Sequence, residues 1–461
     1  MMIIKQEENS FHVYDVLGEM GIWELDLNGL EQYLHGLERK RAAGNAKVQT
    51  FPLLENTLRL HNSDGNGTAA DDADDTIFSY GLPESCFFDT GKVLENAQTL
   101  EKGIITPPSV SIEVNSICNY TCRWCCADVH KEERDLTLCL EDIEDRIVRP
   151  MAQAGNLTWY IAGGEPALTV QRTASVAQMI RQHTAEYSVH SPFIALDSNG
   201  TGFRKNVRLF KESGINTIQF SLSSPYADKD KYFRGVPSGM NSVETVADAI
   251  RAAKEHGLHC GINMVLWKED EERQNLSDVE EMIRFGTALE ADFIRITPAV
   301  PGSVSEQHGM KMQEQDMREV GQRLGNLHLN GSGATKVLSI LIPPEDPAEE
   351  ASDRPMMCRA GTCFVHIDHK GDVFPCVMVM PEFRIGNVVQ DDLASLWYAE
   401  KSDFALWRDA VEIAPECAAC SERNYCVGKC PAYAWFKFRD LTLASRPPFC
   451  ASSTIFAEQT A

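Results

Sequence analysis

The sequence contains neither a long apolar run nor a secretory signal. No stretch of about 18 apolar residues occurs in the 461 residues, so we expect no membrane-spanning segment. The chain starts MMIIKQEENSFH, in which four apolar residues are followed at once by charged and polar ones, unlike a signal peptide. These two absences predict a cytoplasmic protein without a membrane partner.

Basic residues are also scarce. The chain carries 67 Asp and Glu against 43 Lys and Arg, a formal net charge of −24. Binding to nucleic acid requires clustered Lys and Arg that neutralise phosphates, so the composition argues against a nucleic-acid partner. The hydrophobic content of 43% is ordinary for a globular protein, and the length suffices for two or three domains.

Cysteine, by contrast, is plentiful, with 15 residues distributed unevenly. Without an export signal, this number favours metal or redox chemistry over disulfides. Three spaced cysteines, Cys118, Cys122 and Cys125, lie in SICNYTCRWCCADVH, residues 116–130, where Cys126 directly follows the third, and eight lie between Cys358 and Cys450. The others are interpreted as ordinary buried thiols: Cys86, Cys126, Cys139 and Cys260.

Residues 108–310 alternate short apolar runs with amphipathic helical stretches, the pattern of parallel βα units. The predicted strands are SVSIEVN, LTWYIAGG, FIALDSN, TIQFSLS, CGINMVLW and DFIRITPAV. Helices such as EDIEDRIVRPMAQAG and SVETVADAIRAAKEHG lie between them, the second with Gly257 as its C-cap. Six such strands predict an α/β fold with a partial (β/α)6 barrel, whose site is built by the loops after the strands.

The remaining chain divides into three parts. Residues 1–100 hold two short apolar runs, FHVYDVL and GIWELDL, then the helical pattern GLEQYLHGLERKRAA and the polar linker HNSDGNGTAADDADD. They predict a small α/β segment. Residues 311–357 are a connecting region, and residues 358–461 form a cysteine-rich domain.

The first cysteine group, Cys118, Cys122 and Cys125, has the spacing CxxxCxxC and directly follows the first predicted barrel strand. A cubane iron–sulfur cluster has four irons, so three thiolates leave one iron open. An open metal position is where a catalytic site accepts its substrate, whereas a structural site closes all positions. The loop alone fits a zinc knuckle as well.

The loop, with Trp124 before its last cysteine, resembles the radical S-adenosylmethionine (radical SAM) superfamily. The resemblance implies a 4Fe–4S cluster on Cys118, Cys122 and Cys125, with S-adenosylmethionine on the open iron. It also implies cofactor contacts in AGGEP, DSNG, FSLSS and YFRG, namely Gly163, Gly164, Glu165, Pro166, Ser198, Asn199, Ser221 and Arg234. Arg234 would pair with the cofactor carboxylate, and a surface salt bridge is the alternative.

The C-terminal cysteines resemble the SPASM domain, a seven-cysteine extension of radical SAM enzymes with two auxiliary 4Fe–4S clusters. The pattern here includes CRAGTCFVHIDHKGDVFPC and CAACSERNYCVGKC, and it contains an eighth cysteine, Cys363. By resemblance, one cluster takes Cys358, Cys363, Cys376 and Cys430. The other takes Cys417, Cys420, Cys426 and Cys450. Fully thiolate-ligated clusters favour electron transfer.

The resemblance implies an enzyme that uses a 5′-deoxyadenosyl radical to take a hydrogen atom from a ribosomally made precursor peptide, then forms a carbon–carbon or thioether link. The implied partners are the peptide and a one-electron donor such as flavodoxin or ferredoxin. Residues 1–100 would bind a leader peptide by strand addition, or serve as structural padding. Formylglycine formation is the first alternative, weakened because Val377 occupies the position of that family's aspartate base. Oxidation of a small molecule and a non-catalytic scaffold are the others.

Overall fold

The computed structural model describes six strands in the first 80 residues and most of the chain from 109 to 398. In the second part, the described residues are 109–127, 137–153, 156, 158–187, 191–299, 308–312, 314–330, 335–339, 341, 360–361, 364–379 and 381–398. In this part, no helix is long and apolar enough to cross a bilayer.

The N-terminal strands form one six-stranded sheet. They are β1 (Met2–Glu7), β2 (Ser10–Asp15), β3 (Ile22–Leu25), β4 (Lys47–Pro52), β5 (Thr57–Ser63) and β6 (Thr76–Tyr80). Their order is β3-β2-β1-β6-β5-β4, with β1 and β6 parallel and the other pairs antiparallel. The predicted runs FHVYDVL and GIWELDL coincide with the β2–β3 hairpin, whereas the helical pattern after them lies outside the described residues.

A second sheet holds all six predicted barrel strands in chain order, each parallel to its neighbours. They are β7 (Ser109–Glu113), β8 (Thr158–Ala162), β9 (Phe193–Ser198), β10 (Thr217–Ser221), β11 (His259–Leu266) and β12 (Phe293–Pro298). Because helices cover this sheet, its strands are buried along nearly their whole length. Because the six strands are parallel, their carboxyl ends all lie at one edge of the sheet.

Four further strands extend this sheet beyond the prediction. β13 (Lys336–Leu338), from the predicted connecting region, pairs in parallel with β12. β14 (Phe364–Ile367) pairs in parallel with β7 on the other side, and β15 (Asp372–Phe374) and β16 (Gly386–Asn387) follow antiparallel. The cysteine-rich region thus begins inside the barrel sheet.

The described helices are α1 (Leu140–Ile143), α2 (Arg149–Gln153), α3 (Val170–Tyr187), α4 (Phe203–Ser213), α5 (Ala227–Arg234), α6 (Ser242–Glu255), α7 (Val279–Ala288), α8 (Glu314–Asn330) and α9 (Leu393–Tyr398). A π-helical segment, Glu144–Val148, joins α1 to α2. Asn241 caps the start of α6 through its side chain. Gly257 ends it at φ +63°, as predicted, because its left-handed conformation lets Leu258 N bond Ala253 O at 3.0 Å.

The core lies between the parallel strands and these helices. It includes the buried side chains of Trp159, Phe203, Phe220 and Trp267. The prediction of four ordinary buried thiols holds for Cys260 but is wrong for Cys139, which is exposed and caps α1 by accepting a bond from Asp142 N. Cys86 lies outside the described residues.

Candidate functional site

The cysteine loop, residues 114–127, leaves the carboxyl end of β7, at the edge where the resemblance places the site. Cys118, Cys122 and Cys125 are all free and partly buried. Cys125 N donates to Cys122 O at 3.2 Å, which closes a tight turn between two of the three. Tyr120 N donates to Cys118 Sγ at 3.4 Å, a contact that a bound thiolate strengthens.

The three free thiols are a donor set that suits an iron–sulfur cluster. Burial raises the pKa of all three, to about 12 for Cys122, and the charges of Cys126, Cys122 and Cys118 raise that of Cys125 further. They are therefore close enough to influence one another, and a metal that binds them must also displace their protons. Among the described residues, no group of His, Cys, Asp or Glu is arranged around one metal ion. A cubane distributes three sulfurs over three irons and does not require that arrangement.

The turn after β8 packs directly on the cysteine loop. It contains residues 163–166 of the AGGEP motif. Gly164 N donates to Asn115 O at 2.9 Å, and Glu165 N donates to Ile117 O at 2.6 Å. A Cβ at Gly164 would overlap the carbonyl group of Ile117, so this position requires glycine. We expected the glycines to admit a ligand, whereas the close approach observed is to the chain itself.

Glu165 connects this turn to the segment after β9. Its carboxylate accepts hydrogen bonds from Ala167 N at 2.9 Å, Ser198 Oγ at 2.8 Å and Asn199 N at 2.5 Å. Burial raises the pKa of Glu165 to about 7, although these bonds oppose the rise. Asn199 Nδ2 in turn donates to Asn119 Oδ1 at 2.8 Å, on the cysteine loop. The three motifs form one hydrogen-bonded unit.

Two other predicted positions have simpler surroundings. Pro166 is buried and opens a single 3-10 turn, which Glu165 caps. Ser221 is the last residue of β10, partly buried and opposite Asn263 of β11. Both lie at the carboxyl edge of the sheet, as the prediction requires.

Arg234, the last residue of α5, belongs to a buried group that we call the cation cluster: Arg234, Asp230 and Tyr120. The guanidinium is 1% exposed, bonds Asp230 Oδ2 at 3.2 Å and stacks 4.9 Å from the Tyr120 ring. The surface salt-bridge alternative is therefore wrong. The main chain of α5 also bonds the cysteine loop, through Thr121 N to Arg234 O at 3.2 Å.

Trp124, the aromatic residue of the cysteine loop, packs against two other aromatic side chains. Its ring centroid lies 5.7 Å from that of Trp267 and 6.3 Å from that of Phe233. The preceding Arg123 stacks on Tyr232, 4.0 Å from the ring centroid, and pairs with Glu269 at 3.2 Å. These contacts fix the loop between its second and third cysteines against β11 and α5.

Sequence reasoning missed a buried acid–imidazole cluster of Glu113, His366, His369 and Ser111. Glu113 ends β7, and its carboxylate contacts His366 Nε2 at 3.3 Å and His369 Nδ1 at 3.1 Å. Burial favours the neutral acid, but the two imidazoles outweigh it and lower the pKa of Glu113 to about 2. His366 Nδ1 lies 3.0 Å from Ser111 Oγ. His366 and His369 lie 253 and 256 positions after Glu113 in the sequence, so no local motif links them to it. Only the pairing of β14 with β7 reveals the cluster.

One atom of this cluster has no hydrogen-bond partner in the described part of the chain: Nε2 of His369, a residue only 3% exposed. An ionised carboxylate only accepts hydrogen bonds, so His369 Nδ1 carries the proton that it shares with Glu113. Burial and the charge of Glu113 also raise the pKa of Cys126, on the cysteine loop, to about 11.

Of the eight C-terminal cysteines, the described residues include Cys376, which is partly buried and accepts a bond from Met378 N at 3.4 Å. It follows β15, on the hairpin that carries His369. Val377 beside it is 43% exposed. The other seven lie outside the described residues: Cys358, Cys363, Cys417, Cys420, Cys426, Cys430 and Cys450.

Two protein families match the chain. The family described as "Radical SAM superfamily" matches residues 112–285, which contain the cysteine loop. SPASM, described as "Iron-sulfur cluster-binding domain", matches residues 358–421, which contain β14 to β16. Both matches agree with the regions that carried the two resemblances.

Individual relatives have low sequence identity to this chain, but each match covers most of both chains. AdoMet-dependent heme synthase of Oleidesulfovibrio alaskensis is 25% identical over 350 residues, 72% of this chain and 84% of that protein. PqqA peptide cyclase of Rhizobium meliloti is 23% identical over 367 residues, 78% and 91% of the two chains. The crystal structure of Streptococcus suis SuiB bound to precursor peptide SuiA matches with a TM-score of 0.57 at 17% identity, covering 77% of this chain and 80% of that one. The last likeness shows the fold alone.

Proposed function

Because the chain belongs to the radical SAM superfamily and carries a SPASM domain, we propose that it oxidatively modifies a ribosomally made precursor peptide. The barrel cluster would be held by Cys118, Cys122 and Cys125. When bound there, cluster and S-adenosylmethionine together supply a 5′-deoxyadenosyl radical, which takes a hydrogen atom from the substrate. The protein orients the reactants and excludes water.

The observation that carries the proposal is the joining of three loops at one edge of the sheet. Glu165 bonds both Ser198 and Asn199, and Asn199 bonds Asn119 beside Cys118. The cysteine loop is therefore held in register with the loops after β8 and β9. We propose that the cofactor is bound by this unit together with the end of β10, through Gly163, Gly164, Glu165, Pro166, Ser198, Asn199 and Ser221.

The second step of the proposed reaction requires a base. Joining two substrate atoms breaks two bonds to hydrogen: the first hydrogen leaves as an atom, and the second as a proton and an electron. His369 Nε2 would accept this proton, while Glu113 holds the opposite nitrogen and stabilises the imidazolium. The electron would pass to the auxiliary clusters, one on Cys358, Cys363, Cys376 and Cys430, the other on Cys417, Cys420, Cys426 and Cys450.

The peptide substrate is proposed from the relatives. One is a PqqA peptide cyclase, and SuiB was crystallised with a precursor peptide. The N-terminal sheet adds a means of binding, because β3 and β4 are its edge strands and an extended leader can pair with such an edge. Deleting residues 1–100 would then weaken binding of a full-length precursor but not of its leaderless core.

The test requires a candidate precursor peptide, sought among short reading frames next to the gene, and three variants. His369→Gln and Cys420→Ala should both still form 5′-deoxyadenosine, while cross-linked product falls at least about 100-fold with His369→Gln. The loss of product caused by His369→Gln should be smaller at high pH, because base in the solvent can then accept the proton instead of His369. His366→Gln should reduce the amount of product less than His369→Gln does. Unchanged product in both folded variants would remove the oxidative step from the proposal.

A small-molecule substrate is the second proposal, favoured by the 25% identity to a heme synthase. Formylglycine formation is less favoured, since Val377 carries no acid and is exposed. Absence of any short precursor gene nearby, together with turnover of a porphyrin substrate, would select the small-molecule reaction.

A further inference from the structure

We propose that Arg234 is a positioning residue that donates to the Cys122 sulfur and raises the reduction potential of the barrel cluster. The inference rests on the cluster that the proposed function assigns to this loop. It differs from the role first expected for Arg234, which was a partner for the cofactor carboxylate.

The first support is the location of the guanidinium. Arg234 is 1% exposed and lies under the cysteine loop, between the Tyr120 ring and Asp230. Asp230 is fully buried too and accepts further hydrogen bonds from Ser223 N at 2.7 Å and from Ser242 Oγ. Since one carboxylate oxygen anchors Nη1, the guanidinium cannot swing away from the loop.

The second support is that two nitrogen atoms of the guanidinium lack a hydrogen-bond partner among the described residues. Nε and Nη2 have no hydrogen-bond partner in the described part of the chain, although both are buried. A buried N–H group without a partner costs about 1–3 kcal/mol, and more when it is charged. The carbonyl of Arg234 accepts a bond from Thr121 N at 3.2 Å, directly before Cys122 in the chain, so Arg234 packs against this part of the loop. A cluster thiolate at Cys122 would satisfy these donors.

The third support is the rigid connection between the two elements. Thr121 N donates to Arg234 O at 3.2 Å and Arg123 N donates to Phe233 O at 3.0 Å, on either side of Cys122. Two main-chain bonds thus fix the sulfur of Cys122 relative to the end of α5.

A fixed buried cation has a definite electrochemical consequence. Reduction adds one negative charge to the cluster, and a nearby cation stabilises that charge strongly in a region of low dielectric. Hydrogen bonds to cluster sulfurs act in the same direction. Arg234 therefore makes the barrel cluster easier to reduce, before the cofactor binds.

The experiment measures that potential without S-adenosylmethionine. Wild type, Arg234→Gln and Arg234→Lys are reconstituted anaerobically and titrated with a reductant, with electron paramagnetic resonance as the readout. The barrel signal is the one absent from the Cys118, Cys122 and Cys125→Ala triple variant. We expect the ratio of reduced to oxidised barrel cluster, at a fixed solution potential, to fall at least about tenfold in Arg234→Gln, which is a shift of about 59 mV. Arg234→Lys keeps the charge and should fall less.

Two controls separate this effect from others. Arg323→Gln removes an arginine that pairs with Glu280 far along the chain, on α8, and should leave the potential unchanged. Asp230→Asn removes the anion behind Arg234 and should shift the potential the opposite way. If Arg234→Gln assembles no barrel cluster, Asp230→Asn decides the question.

The contrary outcomes are distinct. An unchanged potential with weakened S-adenosylmethionine binding would return Arg234 to the carboxylate role and overturn the inference. Loss of barrel iron from both Arg234→Gln and Asp230→Asn, but not Arg234→Lys, would make the pair a requirement for assembly and overturn it too. A wild-type protein that binds no barrel cluster would refute the proposed function itself.

Discussion

Two buried polar groups of opposite character flank the cysteine loop. In the cation cluster, the carbonyl of Arg234 bonds Thr121 N, directly before Cys122. In the acid–imidazole cluster, the charge of Glu113 adds to burial in raising the pKa of Cys126, only four positions further along the chain than Cys122. The loop is therefore influenced by a fixed positive charge and by a fixed carboxylate with two imidazoles.

This difference indicates a division of labour. A positive charge stabilises added electrons, whereas an imidazole held by a carboxylate accepts protons. The two clusters also come from different elements: the first from α5, the second from β7 and the β14–β15 hairpin of the SPASM domain. Under the proposed function, α5 would act on electron entry and the β14–β15 hairpin on proton removal.

The largest expected effect comes from removing the loop's thiols. Replacing Cys118, Cys122 and Cys125 by Ala should remove one third of about twelve irons and abolish S-adenosylmethionine cleavage, because the barrel cluster loses its three proposed thiolate ligands. Iron assay and 5′-deoxyadenosine quantification provide the measurements. The matched control is Cys126→Ala, which should retain iron and cleavage. Equal iron loss in the control would place Cys126 among the ligands.

The next effect tests the acid side of the comparison. Glu113→Gln should lower the free energy of unfolding by about 3 kcal/mol at pH 7, since it leaves two buried imidazoles without their carboxylate. Urea unfolding of wild type and variant measures the difference. Glu144→Gln is the control: Glu144 also bonds a histidine, His183 at 2.8 Å, but is 33% exposed, so we expect a loss below about 1 kcal/mol.

The pH dependence of that difference has a definite sign. The pKa of Glu113 is depressed from 4.5 to about 2, so its stabilising contribution is complete above pH 4.5. It is lost as the pH falls from 4.5 towards 2. The wild-type advantage over Glu113→Gln should therefore shrink as the pH falls below 4.5. An advantage that grows between pH 4.5 and 2 would mean that the pKa of Glu113 is not depressed in the folded protein.

A smaller effect tests the turn that holds the loop between the two clusters. Gly164→Ala should cost about 1–3 kcal/mol and lower barrel iron content, because the added Cβ overlaps the Ile117 carbonyl. Gly309→Ala is the control for iron content: its Cβ would meet nothing within 4 Å, so barrel iron should be retained, and the loss of stability expected there comes from the left-handed φ of +73° alone. Iron assay and urea unfolding compare the two. Equal iron retention would show that the loop can shift without losing its ligands.

The smallest effect lies outside both clusters. Ser221→Ala should weaken S-adenosylmethionine binding by at most about fivefold, the equivalent of one hydrogen bond of about 1 kcal/mol. Calorimetric titration of the reconstituted protein measures it, and neither the cluster potential nor the free energy of unfolding should change. A change in potential would connect the end of β10 to the cation cluster.

Local sequence signals predicted the barrel well. All six apolar runs that were predicted as strands form parallel strands, and Gly257 ends α6 as expected. Both predictions succeed because strand burial and helix capping depend on neighbouring residues. The spacing of Cys118, Cys122 and Cys125 likewise needs no distant contact to be recognised. Position at the carboxyl edge then followed from the rule for parallel sheets.

The acid–imidazole cluster could not be predicted in this way. Glu113 and His369 meet because β14 pairs with β7 in parallel, and no pattern within either segment specifies that register. The burial of Arg234 is similar: its sequence surroundings, DKDKYFRG, are those of a surface helix. Only the packing of α5 under the cysteine loop removes the guanidinium from water.

The sequence by itself determined the type of chemistry, the six central strands and the loop that carries the thiols, because each depends on residues a few positions apart. The tertiary structure decided which charges surround that loop. Desolvation and long-range strand pairing turn Arg234 into a buried cation and Glu113 into a strongly acidic carboxylate, and both effects depend on atoms contributed by distant segments.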